Sequence, residues 1–446
     1  MSSCTSSGPR VFIIGAGSRG NAYAKAITAH TNGVIVGVSE PIDFKRRGFI
    51  QKYNLTDPSL ICSDWKEALS PDRGLGEKVD GVVIATLDET HAEILLAIRP
   101  LNLHILCEKP LATTLPDVRH MQSSLLSGPP IIFALGHVLR YSPHNQLLYR
   151  LLQETKVIGD ILTITHTEPI GHWHFAHSYV RGNWRSGAPS LLTKCCHDID
   201  LLLWLSGETP TKISSHGSLS HFKRSKKPIK AGEATRCKKC PARDECLYSA
   251  ERVYLDRNLR KGNLGWPGKI VCPEIEDAPD LLTAEKLLVN AIDNSDYGHC
   301  VYESPNDVVD NQVVLMTLGE DITATLTMTA FTEKICERLT TVYGTRGELR
   351  ADSKKIEVVE FMTGETRCYM PEMDLESGHG GGDAGLARGW VQAMEMVGKG
   401  EKVEEAQKKC LGCTPEEAVR SHEVVWWAEE ARIQGRTMRW DEWVGK

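Results

Sequence analysis

The sequence predicts an α/β protein: a doubly wound parallel sheet at the N-terminus, then an α+β domain whose sheet is mostly antiparallel. Three observations predict it. Between residues 11 and 135, short continuous apolar runs alternate with segments of helical spacing, the pattern of strands covered on both faces. The first run ends in a glycine-rich turn that opens an Ala-rich helix. Beyond residue 160 the apolar residues alternate with period two, as in strands with one buried face.

Taken in order, residues 1–9 read as a disordered, Ser-rich lead. Strands are expected at 11–14, 34–38, 79–85, 103–106 and 131–135, and helices at 21–29, 44–53, 65–69, 91–98 and 116–126. These define a first domain at residues 1–136. In residues 137–446 we expect a helix at 143–155, a strand at 161–167 and a helix at 191–205. Strands 313–318 and 322–329 flank Gly319-Glu320-Asp321 as a hairpin, and 340–343 and 348–351 form another pair. Residues 215–302 have weak periodicity and many Gly, Pro and Lys, and read as an insertion. A last helix is expected at 415–434, anchored by Trp426 and Trp427.

Composition bounds the function. Of 446 residues, 41% are hydrophobic and 25% charged, enough for a sizeable core. The net charge of −6 argues against bulk binding to nucleic acid or anionic lipid. No apolar run approaches the roughly 18 residues that a membrane helix needs, and the lead has no signal-peptide core. A cytoplasmic location is expected. Fourteen cysteines are too few for a disulfide scaffold of this length.

The motif Gly15-Ala16-Gly17-Ser18-Arg19-Gly20 follows a strand and opens a helix. Gly15 permits the tight turn, Gly17 lets backbone approach a pyrophosphate, and Gly20 lets helix and strand pack closely. The helix start presents free N–H groups to phosphate, and Ser18 and Arg19 join the cofactor-binding set. Glu40, at the end of the second strand, could accept hydrogen bonds from ribose hydroxyls and repel a 2′-phosphate. NAD is the expected cofactor. Arg46 and Arg47 keep NADP open.

Leu106-Cys107-Glu108-Lys109-Pro110-Leu111-Ala112, with Ile84-Ala85-Thr86 and His91, resembles the glucose–fructose oxidoreductase / inositol dehydrogenase / rhizopine-catabolism (Gfo/Idh/MocA) family. Gly344-Thr345-Arg346-Gly347-Glu348-Leu349 resembles that family's sheet-hairpin signature. The resemblance implies a Rossmann domain followed by an α+β domain with a large open sheet, which commonly serves in oligomerisation. A homodimer or homotetramer is therefore expected. It also implies Thr86, His91 and Glu108 on the cofactor side, a cis bond before Pro110, and Lys109 beside the nicotinamide. An ammonium there can stabilise a developing alkoxide.

His197, in Lys194-Cys195-Cys196-His197-Asp198-Ile199-Asp200, is the second catalytic candidate, since an imidazole suits proton transfer near neutral pH. The family's usual Asp four positions earlier is Thr193 here. Lys194, Asp198 or Asp200 is the candidate replacement, with Lys194 and Asp198 also assigned to the substrate site.

The substrate wall is expected from Arg140 and Tyr141, from His172, Trp173 and His174, and from Arg181 and Trp184, with Arg185 as a second anion-binding candidate. Aromatic faces and cationic donors suit a polyol or sugar. A metal site from His172, His174 and His177 is a weaker reading. His379 and Asp383, around a glycine run, either reach the cleft or cap a helix beginning near residue 386. Cys237, Cys240, Cys246 and Cys272 could hold a structural zinc, with reduced thiols or a disulfide as alternatives. The basic run at 223–227 reads as a solvated loop.

The expected function is an NAD(P)-dependent oxidoreductase acting on a secondary alcohol or ketone of a sugar, polyol, inositol or sugar acid. A redox-assisted glycosidase or lyase of related fold, and a non-catalytic dinucleotide-binding regulator, are the alternatives.

Overall fold

The computed structural model describes residues 8–374 and 378–444. Residues 1–7 of the expected disordered lead lie outside the described residues. Six strands form the first sheet: β1 (Arg10–Ile14), β2 (Val34–Ser39), β3 (Ile61–Cys62), β4 (Gly81–Ile84), β5 (His104–Cys107) and β6 (Phe133–Leu135). Their order is β3-β2-β1-β4-β5-β6 and the pairings are parallel. The chain reverses direction across the sheet between β1 and β4, and ligands of doubly wound folds bind at the carboxyl ends of strands there. β3 has only two residues, too short to carry a periodic signal.

Nine strands form the second sheet: β7 (Ile161–Pro169), β8 (Pro210–Ser218), β9 (Asn311–Leu318), β10 (Ile322–Thr329), β11 (Leu339–Gly344), β12 (Gly347–Ala351), β13 (Ile356–Glu360), β14 (Thr366–Tyr369) and β15 (Met438–Arg439). The order is β14-β13-β12-β11-β7-β10-β9-β8-β15, with β7 and β10 parallel and every other neighbour antiparallel. Gly319 takes a φ of 59° in the β9–β10 turn, a backbone that favours glycine.

β8 runs to Ser218, so the insertion begins after it rather than at 215. The sequence hides β8 because its residues are mostly small and polar; pairing with β9, not alternation, makes it a strand.

One face of this sheet carries the helices Ser190–Ser206 and Pro415–Gln434. The second of these has sharp local signals: Thr414 and Glu417 form a capping box, Pro415 occupies the first turn, and Gly435 closes the end in the left-handed region. On this helix Trp427 is fully buried, while Trp426 is only partly covered. Among the described residues no helix is long and apolar enough to cross a membrane.

The C-terminal part of the chain returns to the first sheet. Leu386, Trp390, Val391 and Met394, on helix Gly382–Gly398, and Ala406 and Leu411, on helix Val403–Leu411, share one core with β1, β4 and β5. Trp390 presses on Gly81, where a Cβ would stand 2.8 Å from the indole. Gln407 completes the edge of the sheet, accepting from the Phe133 amide at 3.0 Å and donating to its carbonyl at 2.8 Å. Replacing Trp390 with Ala should lower the unfolding free energy by about 3–5 kcal/mol, read as a fall in the urea midpoint.

Candidate active site

The glycines of the turn have the backbone geometry the motif requires. Gly15 has a φ of 94°, and a Cβ on it would stand 2.5 Å from the Ala85 carbonyl oxygen. A Cβ on Gly20 would meet the Gly15 carbonyl oxygen at 1.8 Å, so helix Ser18–His30 packs on the turn only with glycine there. Around Gly17 a Cβ would find nothing within 4 Å. This open space lies before a helix start that offers free amides, and it fits a pyrophosphate. Glu40 is held by two amides: Ala16 donates to Oε2 at 2.8 Å and Ile42 to Oε1 at 3.0 Å. Arg46 donates to the Glu40 carbonyl and pairs with Asp43, which also pairs with Arg47.

The turn is also tied to two segments more distant in the chain. Arg19 Nε donates to Glu108 at 2.5 Å, and its two terminal nitrogens donate to Asp383, each at 3.0 Å. Tyr23 donates to Glu108 at 2.9 Å. Burial opposes ionisation of Glu108, but Arg19 and Lys109 hold its carboxyl below the usual range. Asp383 is held low in the same way, by Arg19 and His379 against burial. Arg19 and Glu108 are thus paired with protein. Ser18 is exposed, and the Thr86 hydroxyl, half-exposed after β4, meets that of Thr90 at 2.7 Å. His91 departs from the expectation. It is fully buried, and its Nδ1 lies 2.8 Å from the Pro110 carbonyl, so it braces the turn from behind.

The Lys109–Pro110 bond is cis. Behind it the Leu111 amide donates to His422 Nε2 at 2.9 Å, which locks the C-terminal helix to the turn. Lys109 Nζ donates to the Thr193 carbonyl at 3.0 Å and sits 4.9 Å over the Trp184 ring. Trp184 in turn donates to Asp88 at 2.8 Å. Thr193 lies one turn before His197 on the same helix face, so lysine and imidazole reach one region. His197 is buried, its Nδ1 has no partner, and its ring stands 5.6 Å from His137 and 6.2 Å from His379. Burial, then the charges of Lys109 and the groups around it, push its pKa well below the ordinary histidine value.

None of the candidate replacements for the missing aspartate faces His197. Asp198 points to the sheet, bonded to His166 at 3.0 Å and Arg338 at 2.6 Å. Asp200 takes a bidentate pair from Arg140, both contacts at 2.6 Å. Lys194, partly buried, lies between Glu168 at 3.3 Å and Cys336 at 2.9 Å. These corrections share a cause. Consecutive helical positions point about 100° apart, and each buried charge has found its counter-charge on a different neighbour.

The wall is likewise only partly as expected. Trp184 reaches the lysine. Arg140 is engaged by Asp200, and Tyr141 donates to the Leu411 carbonyl at 3.0 Å. Arg181 is 1% exposed and donates to the carbonyls of His299 at 2.8 Å and Tyr248 at 2.7 Å, so it staples the insertion rather than meeting a ligand. Arg185 pairs with Asp296. Trp173 and His174 pack on Trp266 of the insertion, and His172 lies 3.2 Å from the Thr332 carbonyl. His177 bonds Tyr254 at 3.0 Å. These three histidines have separate partners, and no metal-holding group of ligating side chains occurs among the described residues.

His379 meets Asp383 at 3.0 Å. Asp383 lies in the first turn of helix Gly382–Gly398, whose N-cap is Gly381, so it does not cap a helix near residue 386. Sequence reasoning missed Asp88 and His422. Their only sequence signal is residue type, because the contacts that recruit them join segments far apart in the chain.

A dinucleotide fingerprint at the switch point of a doubly wound sheet, beside a lysine and an imidazole from a second domain, defines a nucleotide-dependent class of protein. Comparison with known families narrows this. Residues 9–127 match the Gfo/Idh/MocA model described as "Oxidoreductase family, NAD-binding Rossmann fold", and residues 152–439 match its "C-terminal alpha/beta domain". The chain belongs to this oxidoreductase family.

It is 31% identical over 147 residues to an inositol 2-dehydrogenase of Saccharopolyspora erythraea, covering 31% of this chain and 38% of the relative. It is 24% identical over 216 residues to myo-inositol 2-dehydrogenase of Thermotoga maritima, covering 47% and 58%. The matches thus span roughly two fifths to three fifths of these relatives' length. Among solved structures, an Agrobacterium radiobacter oxidoreductase in complex with NAD+, L-tartaric acid and magnesium superposes with a TM-score of 0.66 at 13% identity, covering 97% of this chain and 98% of the other. Levoglucosan dehydrogenase with NADH and levoglucosan gives 0.63 at 15%, covering 97% and 99%. At such identities these structures show the shared fold.

Gly17→Ala should leave the melting temperature of the ligand-free protein unchanged yet weaken dinucleotide binding at least about tenfold, because its methyl group would meet only the incoming phosphate. Gly20→Ala should lower the melting temperature itself. Differential scanning fluorimetry with and without NAD separates the two.

A pH effect follows from His177, whose pKa burial and then Arg181 push down to about 3. The unfolded chain binds that proton near pH 6.5, so His177 favours folding fully above about 6.5. This contribution should shrink as pH falls from there toward 3. Urea midpoints across that window check it.

Proposed function

We propose that the protein oxidises a secondary alcohol of a sugar, polyol, inositol or sugar acid to the ketone, or reduces the ketone, with NAD as cofactor. The observation that carries this reading is the hydrogen bond from Lys109 Nζ to the Thr193 carbonyl, one turn from His197. It brings the ammonium and the imidazole from two domains to one place.

In the oxidation direction, the ammonium of Lys109 would bind the alcohol oxygen and stabilise negative charge as it develops. His197 Nε2 would take the hydroxyl proton. Held neutral by burial, the imidazole is ready to act as base at pH 7. The bound nicotinamide would supply the acceptor for the two electrons that leave with the carbon's hydrogen. The Trp184 face, supported by Asp88, would position the Lys109 ammonium.

The choice of NAD over NADP rests on Glu40, whose carboxylate is held by two amides, and on Arg46 and Arg47, both of which pair with Asp43. Exposed Val313, Leu315, Leu339 and Tyr343 share the open face of the second sheet, which supports assembly into a homodimer or homotetramer.

One observation favours a second reading, a redox-assisted glycosidase or lyase. His379 offers a second imidazole near His197, oriented by Asp383.

A panel of polyols, inositols, aldoses and sugar acids, followed by absorbance of the reduced cofactor, tests the main reading. Net NADH formation supports the dehydrogenase. Turnover of aryl glycosides without net NADH supports the alternative. Lys109→Ala and His197→Ala should each lower kcat about 100-fold or more while NAD still binds. The acid limb of kcat/KM for oxidation should fall well below pH 6.5, the ordinary histidine value, because the His197 pKa is lowered; a limb at or above that value would remove His197 as the base.

A further inference from the structure

The cysteine-bearing insertion is not needed for the chemistry above, and its folding raises a separate question. Its buried core is small, built around Val253, Tyr254, Leu259, Ile275, Leu288 and Ile292. Cores of that size seldom stand without a covalent or metal staple.

The sequence offers Cys237, Cys240, Cys246 and Cys272 as ligands, but the fold separates the last. Cys272 lies within that small core with its sulfur 3.4 Å from Glu274. A different cysteine takes its place. The isolated antiparallel bridge Arg236–His299, with the Cys300 amide donating to the Thr235 carbonyl at 2.9 Å, lays Cys300 beside Cys237. Cys237 and Cys240 are joined by a single tight turn, with the Cys240 amide donating to the Cys237 carbonyl at 3.1 Å. The turn at Cys246 brings the third sulfur to the same place. Cys237, Cys240, Cys246 and Cys300 all line one cavity of about 20 Å³. That is room for one water-sized or ion-sized occupant.

A second observation concerns Arg181, which lines the same cavity. Its guanidinium is buried, one terminal nitrogen donates to the Cys237 sulfur at 3.4 Å, and the other has no partner. The Ala250 amide also donates to that sulfur at 3.4 Å. Donors aimed at a sulfur stabilise a thiolate.

We propose that Cys237, Cys240, Cys246 and Cys300 bind one zinc ion, which closes the two ends of the insertion on each other. Four thiolates and a divalent ion carry a net charge of minus two, and Arg181 supplies a buried counter-charge. The four thiol protons leave to solvent as the four sulfur–metal bonds form, with no change of oxidation state. Among the described residues no three ligating side chains already sit at coordinating distance, so uptake involves rotation of the cysteine side chains. Cys237, Cys240 and Cys246 are only half-buried, which leaves room for it. Through Trp266 and Tyr254 the closed insertion would hold the wall formed by Trp173, His174 and His177.

The test uses the full chain, purified in reductant without chelator or polyhistidine tag. Elemental analysis should give about one zinc per chain. Cys272→Ser should keep it and Cys300→Ser should lose it. Should Cys300→Ser fail to fold, the wild-type protein still decides. Titration with an organomercurial should release zinc in step with modification of cysteines 237, 240, 246 and 300, mapped by mass spectrometry. Cobalt in place of zinc should show sulfur-to-metal charge-transfer absorption. Absence of metal after incubation with zinc, release linked to other cysteines, retention of zinc in a folded Cys300→Ser, or a disulfide among the four in the reduced preparation would each overturn the proposal.

Discussion

Arg19 joins three distant segments of the chain. It stands in the glycine turn, yet its guanidinium pairs with Glu108 after β5 and with Asp383 on the helix that returns from the second domain. Both carboxylates are almost fully buried, with side-chain exposures of 6% and 4%. Without the arginine, each would be a buried charge short of its main partner, a situation that costs about 3–5 kcal/mol. This pairing fixes where the Glu108-Lys109-Pro110 turn lies relative to the cofactor loop. His91 and His422 brace the same turn from behind. The position of the turn that carries Lys109 therefore depends on Arg19, His91 and His422, each bonded to another segment of the chain.

The second domain adds the imidazole in a comparable way. Helix Ser190–Ser206 is anchored by ion pairs on two sides: Asp198 to Arg338 and His166, Asp200 to Arg140. Buried pairs of this kind contribute little net stability but penalise any other placement of the helix. Thr193 and His197 are left facing the lysine. His197 Nδ1 has no partner, and burial and then neighbouring positive charge lower the pKa of the ring.

Much of the fold was legible because it depends on local pattern. Helix Pro415–Gln434 was placed to the residue, since its Thr-Pro start and Gly end are local stereochemical signals. The β9–β10 hairpin was legible from alternation around Gly319. β3 and β8 were not: β3 has two residues, β8 is mostly polar, and pairing partners distant in sequence define both. The same division runs through the site. Gly15, Gly17, Gly20 and Glu40 were legible because a turn, an open face, a close packing and a strand end follow from spacing. Arg140, Tyr141, Arg181, Lys194 and Asp198 were legible as polar groups near the site, but their partners were not.

The sequence by itself determined the doubly wound sheet, the glycine turn of a dinucleotide-binding fold and the presence of Lys109 after a strand and His197 on a helix. Those properties follow from period, residue type and short spacing, which act within a few residues. The tertiary structure alone decided which charges neutralise one another, that the C-terminal helices return to the first sheet, and that Cys300 rather than Cys272 joins the other three cysteines. Such choices rest on contacts between segments tens to hundreds of residues apart, where the energy of a buried charge or thiol depends on what the whole chain brings beside it.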